Sequence, residues 1–201
     1  IGGKGNPVSD LEWDVKAYFA LGAAMHDAAI AAWSVKGWYD GIRPISAIRY
    51  MAGLGQSSDA ALPSFHVGGL PIIPGFVELV KSGDPLAGGK GENVGKMKLY
   101  TWKGHRYITD SITQRAGAGW VLGEGWEPFQ KKTFVTPPFA GYVSGHSTYS
   151  RAAAEVLTLL TGDAYFPGGL GECTVKANTF PPLIDFEKSP EADITLQWAT
   201  Y

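Results

Sequence analysis

Two short clusters, about a hundred residues apart, carry the residue types that hold an oxyanion and move a proton beside it. The first is Lys36, six intervening residues, then Arg43-Pro44. The second is Pro137-Pro138-Phe139, then Tyr142, then Ser144-Gly145-His146-Ser147, opening an alanine-rich run. Lys36 and Arg43 supply fixed positive charge, and an arginine fork suits paired oxygens. Small residues before a helix leave backbone N–H groups facing a ligand at the positive end of the helix dipole. Ser144 can add its hydroxyl, and Gly145 lets the backbone come close. His146 stands where it can give a proton to a ligand oxygen or take one from it.

Each cluster alone has a plainer reading. Lys36 can complement the negative end of its own helix, with Arg43 a surface arginine. Ser144 or Ser147 can be a simple N-cap with His146 incidental. Lys36 also lies three residues after Trp33 and four after Ala32, which share a helix face, so its ammonium is expected on the core side. A buried ammonium calls for an anionic partner. Both clusters in order, each beside a helix end, should arise by chance in fewer than about one chain in a thousand. A serine-nucleophile hydrolase is disfavoured, because Gly141 lies one residue too far from Ser144 for Gly-x-Ser-x-Gly.

The elements that must position these residues read as helices. Ser9-x-x-Glu12 has capping-box spacing, and Leu11, Val15, Tyr18, Met25, Ala29 and Ala32 recur at helical steps, predicting a long helix from Ser9 to about Lys36. Gly37 and Gly41 end it. Pro44 suits the first turn of a second helix running to Met51, stopped by Gly53, with Arg43 extended before the proline. Ser147 to Leu160 reads as a third helix, closed by Gly162. Residues 54–135 are rich in glycine and proline and are expected to be an irregular insertion. Within it, Glu78–Lys81 and Gln114–Leu122 read as helical and Lys131–Val135 as a short strand. Residues 163–188 read as loop. Ser189-Pro190-Glu191 signals a last helix, with Ile194, Trp198 and Tyr201 on one face and no C-cap after it. The expectation is an all-α bundle: a single helical domain over 1–201, cut inside that last helix, with 54–135 inserted in it.

Bulk properties narrow the classes. The 201 residues are 45% hydrophobic and 18% charged, as in a globular chain. A net charge of −2 leaves no basic surplus to neutralise nucleic-acid phosphates. One cysteine, Cys173, excludes an internal disulfide and shows no activating motif. No apolar run suggests a membrane span. The first residue is Ile1 and no basic-plus-apolar leader is visible, which leaves export or a periplasmic location open. Among the remaining histidines, His26-Asp27 reads as a satisfied pair in a helix core, and His66 and His105 read as local loop contacts. The four histidines lack a divalent-metal spacing. Gly117-x-Gly119-x-x-x-Gly123 misses the dinucleotide fingerprint, and the seven tryptophans read as core.

On these motifs the chain resembles the vanadium-dependent haloperoxidases, which share a helical-bundle fold with the type-2 phosphatidic acid phosphatases and related bacterial acid phosphatases. That superfamily carries Lys-x6-Arg-Pro, Pro-Ser-Gly-His and Ser-Arg-x5-His. The first is complete as Lys36, Arg43 and Pro44; the second is Ser144-Gly145-His146 with Val143 in place of proline. Trp33, three residues before the lysine, and Pro137-Pro138-Phe139 with Tyr142 resemble the chloroperoxidase branch. The third motif has no counterpart, since His146 is the last histidine.

The resemblance implies an enzyme in which bound vanadate activates hydrogen peroxide to oxidise a halide, which then halogenates a small organic acceptor. It implies vanadate as cofactor, or phosphate as substrate if the protein is an acid phosphatase on the same scaffold. It implies Lys36, Arg43, Ser144 and the Gly145 amide as oxyanion ligands, Lys36 and His146 as catalytic groups, and Trp33 and Phe139 as the halide side. The vanadium-binding histidine is then expected beyond Tyr201, so these residues read as an incomplete part of that enzyme. A non-catalytic helical domain is the reading from a different class, and homo-oligomerisation is left open.

Overall fold

The computed structural model describes residues 4–166, 168–179 and 187–201. They form two compact units. The first comprises the segments up to Gly41, Pro138–Lys176 and Ala192–Tyr201. The second comprises Ile42–Pro137 with residues of Ala177–Glu191.

The first unit is built on α1 (Asp10–Tyr39) and α3 (Gly145–Thr161), packed against each other. Ser9 caps α1 by accepting from the Glu12 amide, while the Glu12 carboxylate pairs with Lys16 one turn on. The side chains of α1 turned from solvent are Ala17, Ala20, Leu21, Ala24, Ala28, Ala29, Ala32, Val35 and Lys36, a stripe recurring at three- and four-residue steps. Small side chains there let helices approach closely. The larger residues read as its apolar face are exposed instead: Leu11, Val15, Tyr18 and Met25 are all solvated. Helix α3 ends at Gly162, whose φ of +85° is the left-handed cap that a side chain would strain.

Beyond α3, β4 (Gly171–Val175) pairs antiparallel with β5 (Ile194–Trp198). On one face of this ribbon Glu172 meets Gln197, Thr174 meets Thr195 and Lys176 meets Asp193. Cys173, opposite Leu196, points to the other face with Ile194 and Trp198. Gly171 lies under Trp198, whose indole occupies the place of a side chain.

The second unit is a helix on a sheet. Helix α2 (Pro44–Leu54) begins with Arg43 extended at the N-cap (φ −71°, ψ 146°) and Pro44 at its first position, as the X-Pro step predicts. It continues past Gly53 to Gly55, whose φ is +113° and whose missing side chain makes room for the Ser64 carbonyl. Strands β1 (Val77–Leu79), β2 (Met97–Trp102) and β3 (Ala118–Leu122) pair antiparallel in chain order. Met97 and Leu99 of β2 face Leu79, Val77 and Val121 across the ladder, and Ala52 of α2 closes this core with Leu70. The buried Gln56 side chain accepts from the amides of Ser58 and Asp59 and donates to carbonyls of the 59–63 turn. The Lys98 ammonium lies 2.5 Å from Asp84, 3.6 Å from Glu78 and over the Trp120 ring. That neighbourhood holds the Asp84 carboxyl below its ordinary value, first through the Lys98 hydrogen bond and then through the Leu86 amide.

The expected all-α bundle is therefore corrected to a mixed architecture with two antiparallel sheets. Glu78–Lys81 and Gln114–Leu122, expected as helices, overlap β1 and β3, because cross-strand partners and a helix on one face outweigh weak local preference. Lys131–Val135, expected as a strand, forms a turn, with Phe134 bonded back to Lys131. The last expected helix is β5, and Cys173 of the expected 163–188 loop lies in β4. Residues 167 and 180–186 of that loop lie outside the described residues. His26 and Asp27 are solvated and 3.5 Å apart, not in a core. Several tryptophans expected as core, Trp13, Trp33, Trp38 and Trp198, are at least 40% exposed.

Candidate functional site

Six of the predicted site residues lie in the first unit: Trp33, Lys36, Phe139, Ser144, Gly145 and His146. Trp33 and Lys36 sit one turn apart near the end of α1, so helical geometry puts both on one face. Lys36 is 4% exposed. Its Nζ donates to the carbonyls of Ala140 at 2.7 Å and Gly141 at 3.2 Å. The rings of Trp33 and Phe139 flank it at 5.7 and 5.3 Å and stand 5.5 Å from each other. The core-side position expected from the sequence is therefore observed. Among its acceptors are these two carbonyl dipoles, which a reading of side chains alone had no means to supply.

The segment those carbonyls belong to leads directly into α3. Gly141 also donates its amide to Gly41, joining the segment to the end of α1. Ser144 is the N-cap of α3, and its Oγ accepts from the Ser147 amide at 3.3 Å. Capping does not consume the hydroxyl, which can still donate its proton to another oxygen. Gly145 and His146 follow in the turn where an α-helix offers its amides no internal acceptor. Gly145 is buried, and the Cβ of any replacement would fall 2.6 Å from Cζ3 of Trp33. Its glycine is thus required by packing as well as by any approach of a ligand to the backbone. His146 is exposed, and its ring lies 5.3 Å from that of Tyr149, inclined by 49°. Tyr149 was not singled out, although three-residue helical spacing from His146 was the readable signal. Thr148 returns its hydroxyl to the Ser144 carbonyl, tightening the same turn.

Arg43 belongs to the second unit, half-buried at the mouth of α2. His66 makes the expected local contact, its Nδ1 accepting from the Gly68 amide, whereas His105 Nε2 faces the Gln130 carbonyl at 2.7 Å, 25 residues on. Among the described residues, no three His, Cys, Asp or Glu side chains gather as a metal site. No helix among them is long and apolar enough to cross a membrane.

No curated protein and no solved structure matches the chain. A family model described as the VCPO second helical-bundle domain matches residues 16–201, from the first turns of α1 through β5. That span includes the lysine bonded to the 140–141 carbonyls ahead of Ser144-Gly145-His146 and the two aromatic rings beside it. The chain belongs to this family, the second helical-bundle domain of the vanadium haloperoxidases.

Proposed function

We propose that this chain contributes the oxyanion-binding part of a vanadate-dependent, haloperoxidase-like enzyme. The observation that carries the reading is Lys36: a buried ammonium bonded to the 140–141 carbonyls, immediately before a helix N-terminus. A fixed cation and the positive end of a helix dipole on one short segment favour an anion there.

The donor chemistry fits vanadate. Lys36, the Ser144 hydroxyl and the Gly145 amide are all hydrogen-bond donors, and none is a carboxylate. Such a set suits an oxygen-rich anion, whereas a bare divalent cation would call for oxygen, nitrogen or sulfur acceptors. Bound vanadate would supply Lewis-acid activation of hydrogen peroxide toward a halide. The protein's part is to hold that anion and manage charge and protons around it. Lys36 would draw negative charge onto a ligand oxygen. Arg43, assigned by its place in Lys-x6-Arg-Pro, would neutralise further oxygens. Ser144 would donate its hydroxyl proton while its Oγ continues to cap α3, and the Gly145 amide would donate alongside it. His146 would accept or return a proton at a ligand oxygen from the exposed side of the helix start. Trp33 and Phe139 would present ring surface to a weakly hydrated halide.

The test uses orthovanadate and the 201-residue chain. Isothermal titration should show binding that is weakened about tenfold or more when a charged donor is removed in Lys36→Met, and less in Ser144→Ala. Bromination of a phenol dye by the vanadate-loaded full-length gene product separates the enzyme readings. Hydrolysis of p-nitrophenyl phosphate without bromination would replace the proposal with a phosphatase on the same scaffold. Failure to bind either oxyanion would leave a non-catalytic domain.

A further inference from the structure

We propose that Trp33 is a positioning residue: its indole acts as a spacer that sets the Gly145 amide relative to the Lys36 ammonium. The identity of the anion rests on the function proposed above, but the spacer stands on geometry of its own.

A Cβ built on Gly145 would lie 2.6 Å from Cζ3 and 2.7 Å from Cη2 of Trp33. Carbon atoms in contact keep roughly 3.5–4.0 Å apart, so the ring edge fills the space that any other residue at 145 would need. The indole and the first residue of α3 are therefore in direct apposition, with no side chain between them to give way. The other end of the same segment is fixed by the same face of α1. Phe139 packs on Trp33, and Lys36, one turn beyond Trp33, bonds to Ala140 and Gly141. Segment 139–145 is thus held at its start by a ring contact and an ammonium, and at its end by the thickness of an indole.

The chemical consequence concerns direction. A backbone amide at a helix start has no rotamer of its own, so its aim is that of the helix end. The Lys36 ammonium is likewise pinned by its two carbonyls. A ligand that uses both donors reads the separation between them, and Trp33 is the group that keeps it. Tyrosine-sized or smaller rings at position 33 would let α3 settle toward α1, and a side chain at 145 would push it away.

The two perturbations are opposite in sign, which makes a compensation test available. Four proteins are compared: the 201-residue chain, Trp33→Leu, Gly145→Ala and the double variant. The affinity for inorganic orthovanadate is read by isothermal titration and the thermal midpoint by circular dichroism. Each single variant should bind about tenfold more weakly, the loss expected when a charge-assisted hydrogen bond is misaligned. The double variant should recover most of that loss, with affinities that do not track the midpoints. Trp33→Phe, which keeps a ring, should fall between the chain and Trp33→Leu. Additive losses, or wild-type affinity in Trp33→Leu, would overturn the spacer.

A ligand-free measurement keeps the two ideas apart. In a 15N-labelled chain, Trp33→Leu should shift the Gly145 and His146 amide resonances, while amides near Gly162 at the far end of α3 stay put. If the unsubstituted chain binds neither orthovanadate nor phosphate, the functional reading fails and these resonances alone decide the spacer. Unmoved Gly145 and His146 amides would sink it.

Discussion

Replacing Lys36 with methionine keeps the side chain's length and apolar stem but deletes the ammonium. In the native chain that group bonds to the Ala140 carbonyl at 2.7 Å and the Gly141 carbonyl at 3.2 Å. Ala140 is 4% exposed, so its carbonyl has little access to replacement water, whereas Gly141 is partly open. The penalty is dominated by one buried acceptor left without its donor, about 1–3 kcal/mol. Two effects oppose it: methionine fills the space, and no ammonium has to be stripped of water. The net expectation is a loss of about 1–2 kcal/mol. With a urea dependence of roughly 2 kcal/mol/M, the unfolding midpoint should fall by about 0.5–1 M at unchanged slope. Tryptophan fluorescence follows the transition, and circular dichroism at the same urea concentrations checks that both probes coincide. A midpoint equal to that of the unsubstituted chain would refute the reasoning, because it would mean that the ammonium contributes nothing to fixing the 140–141 segment.

Three further outcomes are expected. The Asp84 carboxyl is held below its ordinary value of 3.8 by Lys98, so its folded form prefers the ionised state; that stabilisation is complete above the unfolded value and is lost as pH falls through the lower folded one. Asp84→Asn should therefore lower the urea midpoint at pH 7 and lower it less as the pH is taken down below 3.8, and an effect that does not shrink on acidification would contradict the assignment. Gly123→Ala would bring its new Cβ to 2.6 Å from that of Ala52, and the overpacking should cost about 1–3 kcal/mol by thermal unfolding. Adding Ala52→Gly should return part of that loss despite about 1 kcal/mol for glycine in a helix. Arg115, whose guanidinium donates to the carbonyls of Lys188 and Ser189, should give a protease-sensitive 187–191 segment when changed to methionine.

The helices were legible because their signals are local. Ser9 with Glu12, Arg43 before Pro44, and Gly162 after Leu160 each announce an end within four residues, and the structure uses all three. The sheet of the second unit was not legible, because what makes it a sheet is distant. Val77 meets Leu99, Leu99 meets Val121, and Lys98 is shielded by Asp84 fourteen positions back. Short segments such as Val77–Leu79 carry too few residues for a period to declare itself. The β5 error is different in kind. Ile194, Leu196 and Trp198 alternate with Thr195 and Gln197, a strand pattern, but the Ser189-Pro190-Glu191 helix signal and the 194–198–201 spacing compete with it in the same stretch. In the candidate site, residue types and helix ends were readable. The carbonyls that receive Lys36 were not, since backbone acceptors leave no mark in the sequence.

The seclusion of Lys36 has a practical side. Amine-reactive reagents modify lysines in proportion to how freely the ammonium meets solvent and sheds its proton. Lys4, Lys16 and Lys176 stand in the open, whereas Lys36 is wrapped by two rings and two carbonyls. Brief acylation followed by peptide mapping should label the former and spare the latter. Any label that does accumulate on Lys36 then counts the occasions on which the 139–145 segment lifts from its helix, so the chain carries its own chemical clock for that opening.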